Sequence, residues 1–321
     1  MMPLPRFEMH APSSVDEALA LLERHGDDAA LLAGGTDLVV AMKLGLRAPR
    51  HLVSLRNVRT LRAIAREGDE LVLGAMVPLD RIAELREDAP ALAEAAAAVG
   101  GPHHRRMGTL GGNLCLDTRC RFYDQGEDWR AALGHCIKKD GVVCHVVRGG
   151  QRCVAAASND TAAAAVALEC EVVIAGARGL RQVRAADFWV ADGVHNTVLE
   201  PGEMVLALRV PTRRNRRSAY EKLRRRAAID FPLLSVAVRA DVEHGVVRDF
   251  ALVLSAVASK PRVVPAREAA LNRPLSEIAP DVSELARAAC NPLATLDADP
   301  AWRREMAGVL AARALGRIQA S

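Results

Sequence analysis

Two glycine pairs, each in a short turn that leads into a helical segment, constrain this chain more than any other feature. Ala33-Gly34-Gly35-Thr36-Asp37 follows an apolar segment, and Thr109-Leu110-Gly111-Gly112-Asn113 follows a basic one. Glycine lets a backbone approach a phosphate closely, and free N–H groups in such turns favour an anion. Neither turn matches a Walker loop or the G-x-G-x-x-G fingerprint. Each alone is typical of a tight turn, but the pair is suited to holding a pyrophosphate from two sides.

Around these turns, the apolar pattern predicts alternating helices and strands. Ser14-Val15-Asp16-Glu17 predicts the capping box of a helix that runs to about Arg24. Two apolar segments, Leu233–Val242 and Val246–Val257, predict a β-hairpin. The basic stretch Arg213–Arg217 predicts a linker, and we place a domain boundary near residue 215.

Composition argues against several classes of protein. The net charge of +4 over 321 residues is mild, and aromatic residues make up only 3%, so neither nucleic acid nor a membrane surface is expected as a partner. No run of about 18 apolar residues is present, and the first residues lack the apolar region of a signal peptide. We therefore expect a cytoplasmic protein. In that reducing compartment, cysteines favour metal ligation or buried thiols over disulfides.

Several motifs in a fixed order resemble the FAD-binding subunit of the molybdenum hydroxylases, which include the relatives of xanthine dehydrogenase and carbon monoxide dehydrogenase. They are HAPSSVDEALALL, LLAGGTDLVVAMK, MGTLGGNLC, AYEKLRRRAAIDFPLLSVAV and LVLSAVASKPRVVPAREAAL. The resemblance implies an α+β fold with a two-part FAD-binding domain of the vanillyl-alcohol-oxidase (PCMH) type. That domain would span residues 1–215, in parts 1–56 and 57–215. A smaller α+β C-terminal domain would span residues 216–321.

The same resemblance implies a set of FAD-binding residues. The first loop would contribute Leu32, Ala33, Gly34, Gly35, Thr36, Asp37 and Leu38, and the second Thr109, Gly111, Gly112 and Asn113. Val99, Val205, Lys222 and Asp160 would complete the site. On propensity alone, Lys222 is equally consistent with a solvated strand residue.

Four cysteines, Cys120, Cys136, Cys144 and Cys153, lie within a segment of 34 residues that is rich in glycine and basic residues. Four thiolates can bind either a structural zinc ion or a 4Fe–4S cluster, and their spacing alone does not separate the two. Each of His135 and His145 adjoins one of these cysteines, so mixed ligation is a further alternative. Cys115, Cys170 and Cys290 are interpreted as packing thiols.

The position of these cysteines adds to the resemblance. Asn113 and Asp160 are 47 positions apart (160 − 113), far more than the family pattern implies. An insertion at about residues 117–157 accounts for the difference and contains all four cysteines. It resembles the insertion in the β subunit of 4-hydroxybenzoyl-CoA reductase, and this implies a 4Fe–4S cluster bound by the four cysteines, with zinc as the alternative.

The resemblance predicts an oxidoreductase subunit that transfers electrons through FAD and the cluster and has no catalytic acid or base of its own. Partner subunits would carry a molybdenum cofactor and a 2Fe–2S centre, in a dimer of heterotrimers, and a ferredoxin-like carrier would supply electrons. The complex would dehydroxylate 4-hydroxybenzoyl-CoA or a similar ester. The alternatives are an oxidising hydroxylase for a heterocycle or aldehyde, with zinc in the cysteine segment, and a scaffold without FAD.

Overall fold

Three β-sheets organise residues 3–320, the part of the chain that the computed structural model describes. The first sheet is small and parallel, with strand order β1-β3-β2. Its elements are β1 (Glu8–His10), α1 (Val15–His25), β2 (Ala29–Leu32), α2 (Leu38–Lys43) and β3 (His51–Ser54). Apolar side chains of α1 pack against Val53 and Leu55. This packing stabilises the sheet from which the glycine turn between β2 and α2 begins.

The second sheet is antiparallel, with strand order β4-β5-β8-β6-β7. This unit contains β4 (Ile64–Glu67), β5 (Glu70–Gly74), α3 (Leu79–Ile82), α4 (Pro90–Ala97), α5 (Pro102–Met107), α6 (Leu110–Leu114), α7 (Glu127–Leu133), α8 (Asp160–Ala167), β6 (Glu171–Gly176), β7 (Gly179–Arg184), α9 (Ala185–Phe188) and β8 (Met204–Pro211). The second glycine turn lies between α5 and α6.

The third sheet, β12-β11-β10-β9, is also antiparallel and is covered by two long helices. Its unit contains β9 (Arg216–Leu223), β10 (Leu234–Glu243), β11 (Val246–Ser255), β12 (Arg262–Val264), α10 (Arg267–Ala270), α11 (Ala279–Ala289) and α12 (Pro300–Ala320). The β10–β11 pair confirms the predicted hairpin.

Helix α8 joins the second and third units. All of its eight residues are buried, and five of them are alanine. Because alanine side chains are short, the backbone of α8 can lie close to α4 and to β10 and β11 at the same time. Its first residue, Asp160, is thereby fixed at the junction between the two units.

Two local predictions need correction. Ser14 caps α1 as expected, since its hydroxyl accepts a hydrogen bond from the Glu17 N–H at 3.1 Å, but the Glu17 carboxylate accepts from the N–H of Ser13 rather than from that of Ser14. The predicted linker Arg213–Arg217 is wrong in its second half, because Arg216 begins β9. Its side chain is buried and bonds to Asp241 at 2.8 Å, which offsets the cost of burying the charge.

Within residues 3–320, no helix combines the length and the apolar character that crossing a bilayer requires.

Arg303 provides a test of the C-terminal core. Its side chain is fully buried and donates to the carbonyl oxygens of Leu233 (2.8 Å), Leu293 (2.9 Å) and Ala256 (2.5 Å). We expect Arg303→Met to lower the free energy of unfolding by about 3–5 kcal/mol, because three buried carbonyls lose a charged donor. Urea unfolding measures this. The exposed neighbour Arg304 is the control, and Arg304→Met should change stability by no more than about 0.5 kcal/mol; equal effects would contradict the assignment.

Candidate functional site: a flavin cavity beside four cysteines

The two glycine turns lie directly against each other. A Cβ atom on Gly34 would be 1.8 Å from the carbonyl oxygen of Met107, so only glycine allows this contact. Gly35 has a φ of +72°, in the left-handed region that glycine adopts without strain. The Thr109 hydroxyl caps α6 by accepting from the Gly112 N–H at 3.2 Å. The turns therefore form one continuous backbone surface with glycine on both sides.

A cavity of about 640 Å³ opens between these turns, which is within the size range of cofactor sites. It is lined by all the predicted FAD-binding residues except Leu32 and Lys222, namely Ala33, Gly34, Gly35, Thr36, Asp37, Leu38, Val99, Thr109, Gly111, Gly112, Asn113, Asp160 and Val205. Leu32 packs instead in a small apolar cluster beneath the first sheet. The cavity size and the glycine-rich walls fit a dinucleotide such as FAD.

Lys222 lies behind the cavity wall rather than in it. Its ammonium group is buried and donates to the Asp160 carboxylate (2.9 Å), to Ala98 O (3.0 Å) and to Asp230 O (2.9 Å). The Tyr220 hydroxyl donates to the same carboxylate at 2.7 Å. Burial raises the pKa of Asp160, and Lys222 opposes that rise. Lys222 is thus a buried partner that positions Asp160, and it is not a solvated strand residue.

Arg119 connects the cavity to the cysteine segment, and sequence reasoning missed it. Its guanidinium forms an ion pair with Asp37 of the first turn and bonds to Asp124 at 2.9 Å. It also lies over the Phe231 ring, 4.3 Å from the centroid. Asp124 in turn accepts from the Cys120 N–H at 2.9 Å. Burial raises the pKa of Asp37 and of Asp124, and Arg119 opposes both rises.

The four clustered cysteines come together as predicted. Cys120, Cys136, Cys144 and Cys153 are all buried and line one small cavity. The ends of the segment are joined, since Arg119 and Ala156 exchange two backbone hydrogen bonds of 2.7 and 2.8 Å.

Groups around these sulfurs favour negative charge on them. The N–H groups of Val147 and Ala155 donate to the sulfurs of Cys144 and Cys153, at 3.4 and 3.5 Å. Lys138 is nearly fully buried beside them. Burial nevertheless raises the pKa of Cys120 to about 11, so the free thiol stays protonated at neutral pH. Cys120 would therefore become a thiolate only with a bound metal.

The spacing of the sulfurs tests which metal group fits. In the described part of the chain, no three of the four sulfur atoms lie within 4.8 Å of one another. A tetrahedral zinc ion with bonds of about 2.3 Å holds its sulfur ligands about 3.8 Å apart. A single zinc ion would therefore require the cysteines to move closer together.

The two neighbouring histidines have other contacts. His145 Nε2 is 2.5 Å from the carbonyl oxygen of His135, and His135 Nε2 is 2.9 Å from Glu127 Oε1. Cys115 is exposed and lines the flavin cavity, so its interpretation as a packing thiol is wrong.

The fold and the cavity define a flavin-binding oxidoreductase subunit, and comparisons with known proteins identify its family. Residues 5–213 match the family described as the FAD binding domain in molybdopterin dehydrogenase. Residues 218–318 match the CO dehydrogenase flavoprotein C-terminal domain. The chain therefore belongs to the FAD-binding subunits of the molybdenum hydroxylase family, and the predicted family and α+β fold class are confirmed.

Individual relatives match most or nearly all of the chain. The carbon monoxide dehydrogenase medium chain of Hydrogenophaga pseudoflava is 33% identical over 320 residues, which cover 97% of this chain and 96% of that protein. The FAD-binding subunit of an Escherichia coli aldehyde oxidoreductase is 30% identical over 268 residues, or 79% of this chain and 82% of that protein. A crystal structure of Cu,Mo-CO dehydrogenase superposes with a TM-score of 0.82 at 29% identity, covering 99% of both chains.

The contact at Gly34 predicts how FAD binding depends on it. We expect Gly34→Ala to weaken FAD binding at least tenfold, about 1.4 kcal/mol, because the added methyl group pushes the two turns apart. Flavin fluorescence titration measures this. Gly316→Ala, in α12 with no atom within 4 Å of the added Cβ, is the control and should bind FAD normally. Unchanged affinity in the Gly34 variant would contradict the site.

The Lys222–Asp160 pair predicts a dependence of stability on pH. We expect Lys222→Met to lower the free energy of unfolding at pH 7 by about 3–5 kcal/mol, because Asp160 is left as an unpaired buried charge. A carboxyl group whose pKa is raised by folding stabilises most at low pH and loses that contribution as pH rises. The deficit should therefore shrink as pH falls toward about 4.

Urea unfolding of this variant at two pH values is the measurement. Lys222→Met combined with Asp160→Asn serves as the control, since it has no buried charge and should show little change in its deficit with pH. A deficit of Lys222→Met that stays constant with pH would show that lost packing, and not the charge on Asp160, causes the effect.

Proposed function

We propose that this chain is an electron-transfer subunit that carries FAD and a 4Fe–4S cluster in a molybdenum-containing oxidoreductase complex. Its partners would be a subunit with the molybdenum cofactor and a subunit with a 2Fe–2S centre, assembled as a dimer of heterotrimers. The observation that supports the cluster most directly is the cavity lined by four buried cysteines next to the flavin cavity. Family membership supports the FAD and the partners.

The connection between the two cavities supports a role in electron transfer. Asp117 and Arg119 line the flavin cavity, and Cys120 follows directly in the chain and lines the other one. When bound, FAD would exchange electrons singly or in pairs and the cluster one at a time. The chain's own residues have positioning roles: the glycine turns would hold the pyrophosphate, and Arg119 would fix the cysteine segment against the first turn.

Iron–sulfur ligation is supported by the N–H donors and the buried lysine around the sulfurs. Hydrogen bonds from N–H groups to the sulfurs, together with burial, are the means by which proteins tune the potential of such clusters. Lys138 adds a buried positive charge and is fixed by Asp117 (2.7 Å) and Thr118 (2.8 Å). A structural zinc site is the alternative for this segment, because four thiolates can also bind zinc.

The surface of the cysteine segment suits an electron carrier. Four large apolar side chains are exposed there, those of Trp129, Leu133, Val142 and Val143. Arg121, Arg148 and Arg152 are exposed in the same segment. Exposed apolar and basic side chains in one segment would complement an acidic protein such as a ferredoxin-like carrier. We therefore propose that the carrier delivers its electron at this surface.

For the reaction of the whole complex, we propose reductive dehydroxylation of 4-hydroxybenzoyl-CoA or a related aromatic CoA ester on the molybdenum subunit. The cysteine insertion supports this, because an extra cluster at a carrier surface suits the entry of electrons from outside. The second candidate is oxidation of an aldehyde or heterocycle. It is favoured by the named activities of relatives, which include an aldehyde oxidoreductase and nicotine 6-hydroxylase.

Anaerobic purification followed by absorption spectroscopy and metal analysis tests the cofactors. We expect flavin absorption, a broad iron–sulfur shoulder and about four irons per chain. Cys144→Ser should remove the iron and the shoulder but leave FAD bound, since its sulfur lies outside the flavin cavity. Cys115→Ser is the control and should keep the iron. Zinc without iron in the wild type would overturn the cluster, and absence of flavin after reconstitution would overturn the FAD site.

The same Cys144→Ser variant separates the two directions of electron flow in the assembled complex. If the cluster receives electrons from a low-potential carrier, the variant should lose carrier-driven dehydroxylation of the CoA ester. If the complex oxidises an aldehyde or heterocycle and passes electrons to an acceptor through FAD, turnover with an acceptor dye should persist in both wild type and variant.

A further inference from the structure

Three histidines from separate elements of the first sheet unit come together away from the cysteines. His10 ends β1, His25 ends α1 and His51 begins β3. Strands β1 and β3 are parallel, with Glu8 opposite His51 in the register, and His10 lies two residues further along β1, on the same face of the sheet as Glu8. Helix α1 packs across this sheet and brings His25 to the same place. The fold thus gathers three imidazoles and one carboxylate that are distant in sequence.

The ring nitrogens converge. One nitrogen from each histidine lies within 4.8 Å of the other two, and His10 Nε2 is 3.1 Å from His51 Nδ1. The rings of His25 and His51 are stacked, with their centroids 3.7 Å apart. The Glu8 carboxylate is 3.9 Å from His10 Nε2 and 3.7 Å from His51 Nδ1.

Hydrogen bonds within the group leave one nitrogen unsatisfied. A hydrogen bond between His10 and His51 uses one donor and one acceptor, but His25 Nε2 is buried and has no hydrogen-bond partner. A buried polar atom without a partner costs about 1–3 kcal/mol. Protonating the rings would instead place like charges next to one another. A cation shared by the three lone pairs removes both costs.

We propose that His10, His25 and His51, with Glu8 as a fourth ligand, bind a divalent cation of the zinc type. Imidazole nitrogens suit zinc and its late first-row neighbours. Zinc–nitrogen bonds of about 2.0–2.1 Å place tetrahedral ligands about 3.3 Å apart. The His10–His51 separation of 3.1 Å is already close to that value. His25 and Glu8 would move toward the His10–His51 pair to complete the coordination.

The ion would have a structural role beside the flavin cavity. Gly26 and Asp27, which directly follow His25, line that cavity. Ala29 of β2 pairs with His51 of β3, and β2 leads into the first glycine turn. A metal bound by the three histidines therefore ties α1, β1 and β3 together at the base of that turn. Its contribution would be to order this unit, and no step of electron transfer depends on it.

Cobalt(II) titration of the untagged chain tests the site and distinguishes it from the cysteines. We expect the wild type to bind one more equivalent than His25→Ala, with weak visible bands from nitrogen and oxygen ligands. Cobalt bound by the cysteines would give intense ultraviolet thiolate bands, which should be the same in both proteins. His244→Asn, at an exposed hairpin turn with a positive φ that asparagine tolerates, is the control and should bind as the wild type does.

Two further measurements keep the test decisive if His25→Ala fails to fold. Zinc should raise the melting temperature of the wild type, and this shift should be lost in His10→Gln. Glu8→Gln should keep the site but weaken zinc binding about tenfold or more, as expected for loss of a carboxylate ligand. Equal cobalt binding in wild type and histidine variants, or no zinc-dependent shift in the wild type, would overturn the proposal. Flavin binding by these variants is measured separately, because the metal proposal does not depend on it.

Discussion

The buried guanidinium of Arg119 is the interaction on which the arrangement of the site depends. One charged group contacts the first glycine turn through Asp37, the cysteine segment through Asp124, and the third sheet unit through Phe231. Removing one partner of a buried ion pair leaves an uncompensated charge, so such contacts resist separate movement of the elements they join. The first glycine turn, which forms part of the cavity wall, and the cysteine segment are therefore held in a fixed relative position.

The same principle operates on the other side of the cavity. Asp160 at the start of α8 is paired with Lys222 of β9, so a second buried ion pair crosses between the FAD-binding part and the C-terminal part. Apolar packing around α8 supplies the driving force for that junction, whereas the ion pair fixes its register, because only one geometry satisfies both charges. The buried ion pairs thus fix the relative positions of the elements that form the cavity walls. The apolar clusters stabilise the sheets on which those elements lie.

The features that could be predicted from sequence are the local ones. Glycine turns need specific backbone conformations, and clustered cysteines are a strong compositional signal, so Gly34, Gly111 and the four thiols were visible without a structure. The contacts of Arg119 were not, because its partner Asp37 lies 82 positions away. His10 and His51 are 41 positions apart, and no spacing rule connects them. The burial of Arg216 could not be predicted from the basic stretch Arg213–Arg217 either, because it depends on an ion pair with Asp241 of the neighbouring strand β10.

The cysteine segment illustrates how cofactor and fold depend on each other. Its apolar cluster is small, and its buried members are three of the cysteines, Cys120, Cys136 and Cys153, with Leu46, Tyr123 and Ala155. Ordering a backbone residue costs about 1–2 kcal/mol, which so small a cluster does not offset alone. Burial raises the pKa of Cys120 and of Cys153, so these two thiols would gain charge-assisted bonds only if a metal group converted them to thiolates. Metal binding would then supply the free energy that orders the loop, and the loop would in turn hold the metal beside the flavin cavity.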